Sequence, residues 1–330
     1  MFQKIDVSVV IPLLNEEESL PELCERIDQS LTSAKLIYEL LLIDDGSTDS
    51  SWTIIEQLSS ENPRIKGIRF RRNYGKAAAL HIGFQAVQGK VVLTADADLQ
   101  DRPEEFPEMV EYIQNQGLDL VSGWKKKRYD PVSKTLPTKL FNAATRKFSG
   151  IELHDFNCGL KAYRLEVVKS IEVYGEMHRY IPVIAKAHGF KKIGEKVVIH
   201  AERKYGEGKY FGAERFINGF LDLLSITFVS RFKKKPMHFF GALGTVAFLV
   251  GGFVTFWLTF EKFYLSNFGD PDQIRREVTD QPLFFIALTA IIIGVQFFLA
   301  GFLAELISLN SPKRNDYQIR QTVNISYETT

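Results

Sequence analysis

The sequence is poor in cysteine, tryptophan and methionine, with 2, 3 and 4 residues among 330. Cys24 and Cys158 stand far apart, outside any CxxC or Cys/His ligand spacing, so neither a disulfide framework nor a cysteine zinc site is indicated. A reducing compartment fits. Net charge is lacking too: 41 Lys and Arg against 40 Asp and Glu leave +1, and no global field favours nucleic acid or an acidic polymer as partner. Between Met1 and Asn15 there is no basic n-region, long apolar core or small-residue cleavage site, so the first domain is expected in the cytoplasm.

Long apolar runs are absent from the first two-thirds and concentrated in the last third. Phe239 to Phe260 carries no charged residue, nor does Pro282 to Ala304, and each can cross about 30 Å of hydrocarbon as a helix. Two transmembrane helices are predicted. Arg231, Lys233, Lys234 and Lys235 precede the first run, while Lys313, Arg314 and Arg320 follow the second, which places both ends in the cytoplasm by the positive-inside rule. Apolar residues at Phe216, Ile217, Phe220, Leu221, Leu223, Leu224, Phe228 and Val229 approach helical spacing, predicting an amphipathic helix at the membrane surface. Gly241, Gly244, Gly251 and Gly252 permit close helix approach and leave a homo-oligomer open.

Upstream, strand-like runs at Val7–Leu13, Leu40–Ile43, Ile65–Phe70, Val91–Ala95 and Leu118–Ser122 alternate with helical patterns, which predicts an α/β fold with a mostly parallel sheet. Ligands bind such sheets beyond the carboxyl ends of the strands, where the polar clusters of this chain fall. The first run ends in Ile11-Pro12-Leu13-Leu14-Asn15-Glu16-Glu17 and the second in Asp44-Asp45-Gly46-Ser47-Thr48-Asp49. Ser47, Thr48 and Asp49 read as helix-capping residues, but two adjacent carboxylates at a buried strand end need partners such as a ribose, an amide or a base. After the fourth run comes Thr94-Ala95-Asp96-Ala97-Asp98-Leu99-Gln100-Asp101; on an extended segment Asp96, Asp98 and Gln100 point one way and offer hard oxygen donors to Mg²⁺ or Mn²⁺.

In this order and context the motifs resemble the family 2 glycosyltransferases of GT-A fold, and within them the polyprenyl-phosphate glycosyltransferases. The resemblance extends through Arg72-Asn73-Tyr74-Gly75-Lys76, through His154-Asp155-Phe156-Asn157-Cys158-Gly159-Leu160-Lys161-Ala162-Tyr163-Arg164, and through Arg203-Lys204-Tyr205-Gly206-Glu207-Gly208-Lys209. The two C-terminal runs match the bactoprenol glucosyltransferases best. By that resemblance Pro12, Leu13, Glu16 and Asp44 hold the base and ribose of a nucleotide sugar, with Lys76 assisting. Asp96, Asp98 and Gln100 hold the metal and the diphosphate. Asp155 lies near the reacting centre. The guanidinium and ammonium groups of Arg203 and Lys209, with Lys125, Lys127 and Arg128, are suited to bracket phosphates, the Lys125–Arg128 run reading equally as a solvated surface loop. Gly208 stands where relatives commonly carry serine.

The expected layout is a catalytic domain over 1–210, amphipathic helices over 211–235, two spans over 236–310 and a cytoplasmic tail over 311–330. The expected reaction is inverting transfer of a hexose from UDP-glucose to undecaprenyl phosphate at the inner membrane. GDP-mannose is the alternative donor, and a non-catalytic nucleotide-sugar-binding module the alternative function. A processive polysaccharide synthase would carry Q-x-x-R-W, and Trp52, Trp124 and Trp257 lie outside such a setting. A channel or flippase would need charged groups inside its spans.

Overall fold

The computed structural model describes residues 4–126, 142–143, 145–147, 149–175, 177–201, 204, 236–268, 277–309, 317 and 319–325. The amphipathic helix expected within 211–235, its basic cluster, and Lys127, Arg128, Arg203 and Lys209 lie outside the described residues. The chain divides into two compact units, Met1–Thr227 with Asn315–Thr330, and Phe228–Arg314.

In the first unit, strands β1 (Val7–Leu13), β2 (Tyr38–Asp44), β3 (Ile65–Phe70), β4 (Val91–Thr94) and β5 (Leu120–Trp124) form close to where the apolar runs predict them. Helices α1 (Leu20–Ser33), α2 (Ser51–Glu61), α3 (Lys76–Ala86) and α4 (Phe106–Asn115) alternate with them; β6 (Lys161–Arg164), α5 (Leu165–Ser170), α6 (Ile181–Ala187) and β7 (Ile193–Val197) follow. An additional strand, β8 (Ile319–Val323), comes from the C-terminal tail. Together they make one mixed sheet of order β7-β5-β6-β4-β1-β2-β3-β8. β1 pairs in parallel with both β2 and β4, and β2 with β3. β6 runs antiparallel to β4 and β5, and β8 antiparallel to β3.

Successive strand residues face opposite ways, so Val7, Val9, Ile11 and Leu13 of β1 enter one core with α1 and α4, while Val10 enters a second with α3 and α6. Two covered faces explain why these strands read as unbroken apolar runs. The buried face of α1 is Leu20, Leu23, Cys24, Ile27 and Leu31, and Pro21 sits in its first turn, where a backbone donor has no helical partner to lose. Burying each of those leucines or Ile27 stabilises the unit by roughly 1.5–3 kcal/mol, and Ile27→Ala removes the contact made by the centre of that stripe. β1 lies between β2 and β4, so the connections leaving β1 and β4 diverge and open a crevice at their carboxyl ends.

The second unit is a hairpin of α7 (Pro236–Phe268) and α8 (Pro282–Leu309). Both contain stretches long and apolar enough to cross a membrane, Phe239–Phe268 and Pro282–Ala304, with mean hydropathy 1.9 and 2.5. Phe253, Phe256, Phe285 and Ile286 are exposed, whereas a soluble core helix would bury such side chains. Small residues make the seam: a Cβ on Gly244 would stand 2.6 Å from the Gly294 carbonyl oxygen, and one on Gly251 would stand 2.5 Å from that of Ala287. Two of the glycines set aside for contacts between copies therefore serve the chain's own hairpin. A Cβ on Gly252 meets no atom within 4 Å among the described residues. Gly244→Val is expected to destabilise the hairpin by about 1–3 kcal/mol through overpacking, with Gly252→Ala as the neutral control. Thermal unfolding of the two variants in detergent checks this.

Candidate active site

The loops after β1 and β2 are stitched to each other. Asn15 donates its backbone N–H to Ser47 Oγ at 2.9 Å and accepts that of Thr48 on Oδ1 at 2.8 Å. Asn15 itself sits at φ 51°, a conformation asparagine tolerates better than most residues. The N–H of Glu16 donates to Ser51 Oγ at 2.9 Å, and Glu17 receives the N–H of Ser50 at 2.8 Å. The residue preceding α2 is Ser50, and Asp49 Oδ1 receives the N–H of Ser51 at 3.0 Å. Asp49 thus helps to start α2, as its capping role predicts, whereas Ser47 and Thr48 join the two loops. Pro12 and Leu13 end β1 beside this junction, Leu13 being buried.

The paired carboxylates find their partners within the fold. Asp44, fully buried, receives the Ser47 N–H at 2.7 Å and faces Arg69 Nε at 3.2 Å. Arg69 also donates to the Ser47 carbonyl at 2.9 Å and lies over the Trp52 ring. Asp45 receives the N–H groups of Tyr74 and Gly75 at 2.7 and 2.9 Å and thereby pins the start of α3. Burial raises the Asp45 pKa to about 6, against the pull of these two N–H groups, with Asp44 adding to the rise.

This has a sign. Folded Asp45 holds its proton up to about pH 6, whereas an unfolded aspartate releases it near pH 4. The stability contributed by the proton is full below the lower value and is lost as pH rises through the upper one. Asp45→Asn is expected to flatten the decline between these pH values, losing about 1 kcal/mol for one of its two backbone bonds. Chemical denaturation at stepped pH measures both.

Lys76 opens α3 and pairs with Asp96, which follows β4. The chain turns at residues 97–99 instead of staying extended as predicted, and buried Leu99 adopts φ 60°, a left-handed conformation rare for a leucine. Asp98 is buried and receives the Gln100 N–H on Oδ1 at 3.2 Å. Gln100 is tied instead to Ala201, whose N–H donates to its carbonyl at 3.0 Å and whose carbonyl faces its side-chain amide at 3.4 Å. Among the described residues no three His, Cys, Asp or Glu side chains gather as a metal cage. Two carboxylates with an ammonium drawn against one of them are a donor set that fits a hard cation completing its shell from water and phosphate oxygens.

Asp101, Gly159, Lys161 and His178, to which the sequence reading assigned no role, join the assigned residues here. Asp101 Oδ1 pairs with Lys125 Nζ at 2.9 Å, both side chains being nearly or fully buried, and its Oδ2 faces the Asp96 N–H at 3.4 Å. Burial would draw the Lys125 pKa down, but Asp101, Cys158 and Asp96 hold it well above the usual lysine value. Burial likewise opposes ionisation of Asp96, yet Lys76 and Lys125 keep its carboxyl well below the usual range. Buried Lys161 donates to the Cys158 carbonyl and has its pKa lowered by burial, with Lys76 acting in the same direction. His178 is pushed well below the usual histidine value by burial and by Lys76, so its ring is neutral at pH 7. A Cβ on Gly159 would lie 2.7 Å from the Asp96 carboxylate, so only glycine admits that approach. Lys161 and Gly159 stand inside a motif quoted above, whereas Arg69 and His178 carry no local signal. Asp155 is buried and receives the Asn157 N–H at 3.0 Å, while its carbonyl accepts Ser122 Oγ at 3.2 Å.

The chain that carries these carboxylates and lysines is similar to known proteins. The family model for glycosyl transferase family 2 matches residues 8–172. The dodecaprenyl-phosphate galacturonate synthase of Rhizobium johnstonii is 34% identical over 93% of this chain and 88% of its own length. The undecaprenyl-phosphate 4-deoxy-4-formamido-L-arabinose transferase of Shewanella sediminis is 36% identical over 92% and 88%. Among solved structures, glucosyl-3-phosphoglycerate synthase from Mycobacterium tuberculosis, in complex with Mn²⁺, UDP-glucose and glycerol 3-phosphate, shares the fold. Its TM-score is 0.51 at 22% identity, covering 69% of this chain and 80% of that one. The two named relatives span both units of the chain and act on polyprenyl phosphates, so the chain belongs to glycosyl transferase family 2 as a polyprenyl-phosphate glycosyltransferase of GT-A fold.

Proposed function

We propose that this enzyme transfers a sugar from a uridine diphosphate sugar to undecaprenyl phosphate at the cytoplasmic face of the inner membrane, with inversion at the anomeric carbon. The observation that carries the proposal is the turn holding Asp96 and Asp98 at the end of β4, with Lys76 and Lys125 drawn in around it. In this reading Pro12, Leu13, Glu16 and Asp44 line the base and ribose, and Lys76, Lys125, Arg203 and Lys209 receive phosphate oxygens. Asp96 and Asp98 would hold Mg²⁺ or Mn²⁺, whose charge when bound offsets that of the leaving diphosphate. A phosphate monoester has a second pKa near 6, so much of the acceptor is dianionic at neutral pH and needs no strong base. Its oxygen attacks the anomeric carbon as the bond to the diphosphate breaks. Asp155 orients the acceptor or the sugar.

Chain order supports this sidedness. β8 pairs with β3 in the catalytic sheet, although α7 and α8 intervene in sequence. Two crossings return the chain to the side it left, which supports a catalytic domain of residues 1–210 completed by the tail, with both termini cytoplasmic. UDP-glucose is the donor expected from the sequence; the relatives' names add a uronic acid and a formamido-pentose to the sugars worth testing.

The test supplies detergent-purified enzyme and Mg²⁺ or Mn²⁺ with undecaprenyl phosphate and radiolabelled UDP-glucose, UDP-galacturonate, UDP-4-deoxy-4-formamido-L-arabinose or GDP-mannose, then counts label in the organic phase. Lipid labelling from a uridine diphosphate sugar supports the proposal. Labelling from GDP-mannose alone replaces the donor, and labelling from no donor while nucleotide still binds leaves a binding module.

A further inference from the structure

The tail beyond α8 reads as a polar appendage, yet it is gripped at three points by the catalytic sheet. β8 pairs with β3 from Gly67↔Val323 to Phe70↔Ile319, with an irregularity between Arg69 and Phe70. Past its end, Asn324 takes φ 56° and donates its side-chain amide to the carbonyls of Ser59 at 2.7 Å and Ile65 at 3.0 Å. Before its start, the Tyr317 ring packs against Phe70, Tyr74 and His81, at centroid distances of 5.8, 5.4 and 6.3 Å. An edge strand needs cover against wrong pairing, and β8 supplies it for β3. Such cover explains the ladder but not why the aromatic anchor lands where it does.

Tyr74 is the residue whose N–H, with that of Gly75, is held by Asp45, and two residues beyond it is Lys76, which pairs with Asp96. On the neighbouring strand, Arg69 faces Gln321 Oε1 at 3.4 Å on one side and Asp44 at 3.2 Å on the other. The tail therefore touches, one residue removed, both carboxylates of the Asp44-Asp45 pair, and its contact with Tyr74 lies two residues along the chain from Lys76, the partner of Asp96. Aromatic packing of this kind fixes ring positions, and the backbone of a short loop follows its ring.

We propose that Tyr317 and residues 319–324 are a positioning element of the donor site, with Tyr317 bracing the 72–76 loop so that Lys76 and the Asp44–Arg69 pair are set for a nucleoside diphosphate. The inference rests on the donor-site reading above. It assigns Tyr317 no contact with substrate.

The full-length protein in detergent is titrated with UDP, and with GDP in parallel, by calorimetry, and its donor and acceptor KM are measured with the labelled lipid assay. Tyr317→Ala is expected to weaken nucleotide binding and raise donor KM together by roughly five- to tenfold, the equivalent of one or two aromatic contacts. Acceptor KM should stay near wild type, and Tyr317→Phe should restore both donor readings. Tyr317→Leu keeps apolar volume without the ring and is expected to fall with the alanine variant, which guards against simple misfolding. A lower unfolding temperature with unchanged nucleotide binding and donor KM would reduce the tail to edge cover and overturn the proposal. Wild-type protein that binds UDP but labels no lipid overturns the lipid-phosphate reaction while leaving the brace testable by binding. Wild-type protein that binds neither nucleotide overturns both.

Discussion

Asp98→Asn is expected to lower the rate of sugar transfer by roughly 10²–10³-fold, the range found when one preorganised group opposing transition-state charge is removed. The substitution keeps the shape of the side chain and an oxygen able to accept the Gln100 N–H, so the turn should survive. What it removes is the negative charge that would hold a divalent cation against the departing diphosphate. The fall should appear in kcat at saturating donor, with an unfolding temperature close to wild type. A variant retaining more than about a tenth of wild-type turnover in metal-replete buffer would exclude Asp98 from this role, since that loss is barely 1.4 kcal/mol of barrier.

The second large effect concerns stability. Asp101→Leu leaves the Lys125 ammonium in a site where little of its side chain meets solvent, without its 2.9 Å partner. Breaking a buried pair from one side costs about 3–5 kcal/mol. The double variant Asp101→Leu with Lys125→Met removes both charges and should recover most of that loss, because desolvation of the pair itself is expensive. Activity is expected to behave differently. Asp101 also faces the Asp96 N–H, and Lys125 helps to keep Asp96 ionised, so the double variant should fold well and transfer poorly. Thermal unfolding and the lipid-labelling assay, run on all three variants, separate the two effects. Recovery of both stability and activity would make the pair purely structural.

The alternation of apolar runs with helical patterns anticipated the first five strands, since a parallel sheet covered on both faces requires continuous apolar segments. The apolar runs near the C-terminus were equally plain, because length and absence of charge are local properties. The motif residues after β1, β2 and β4 fall at the strand ends where such sheets bind ligands. The geometry of the Asp96–Gln100 segment was less legible. Alternation along an extended chain predicted convergence of Asp96, Asp98 and Gln100, but the left-handed Leu99 turns the chain and Gln100 goes to Ala201.

Sequence by itself determined what depends on neighbours along the chain: strands, helices, the two long apolar helices and the acidic clusters, each written in local periodicity or spacing. Tertiary structure alone decided which distant charges meet. It brought Arg69 to Asp44, Lys76 to Asp96 and Lys125 to Asp101, and it folded a polar five-residue segment beyond α8 onto the edge of β3. Those pairings exist only because sheet order sets residues far apart in the chain side by side, and burial of Asp44 and of the Lys125–Asp101 pair then makes their partners costly to lose.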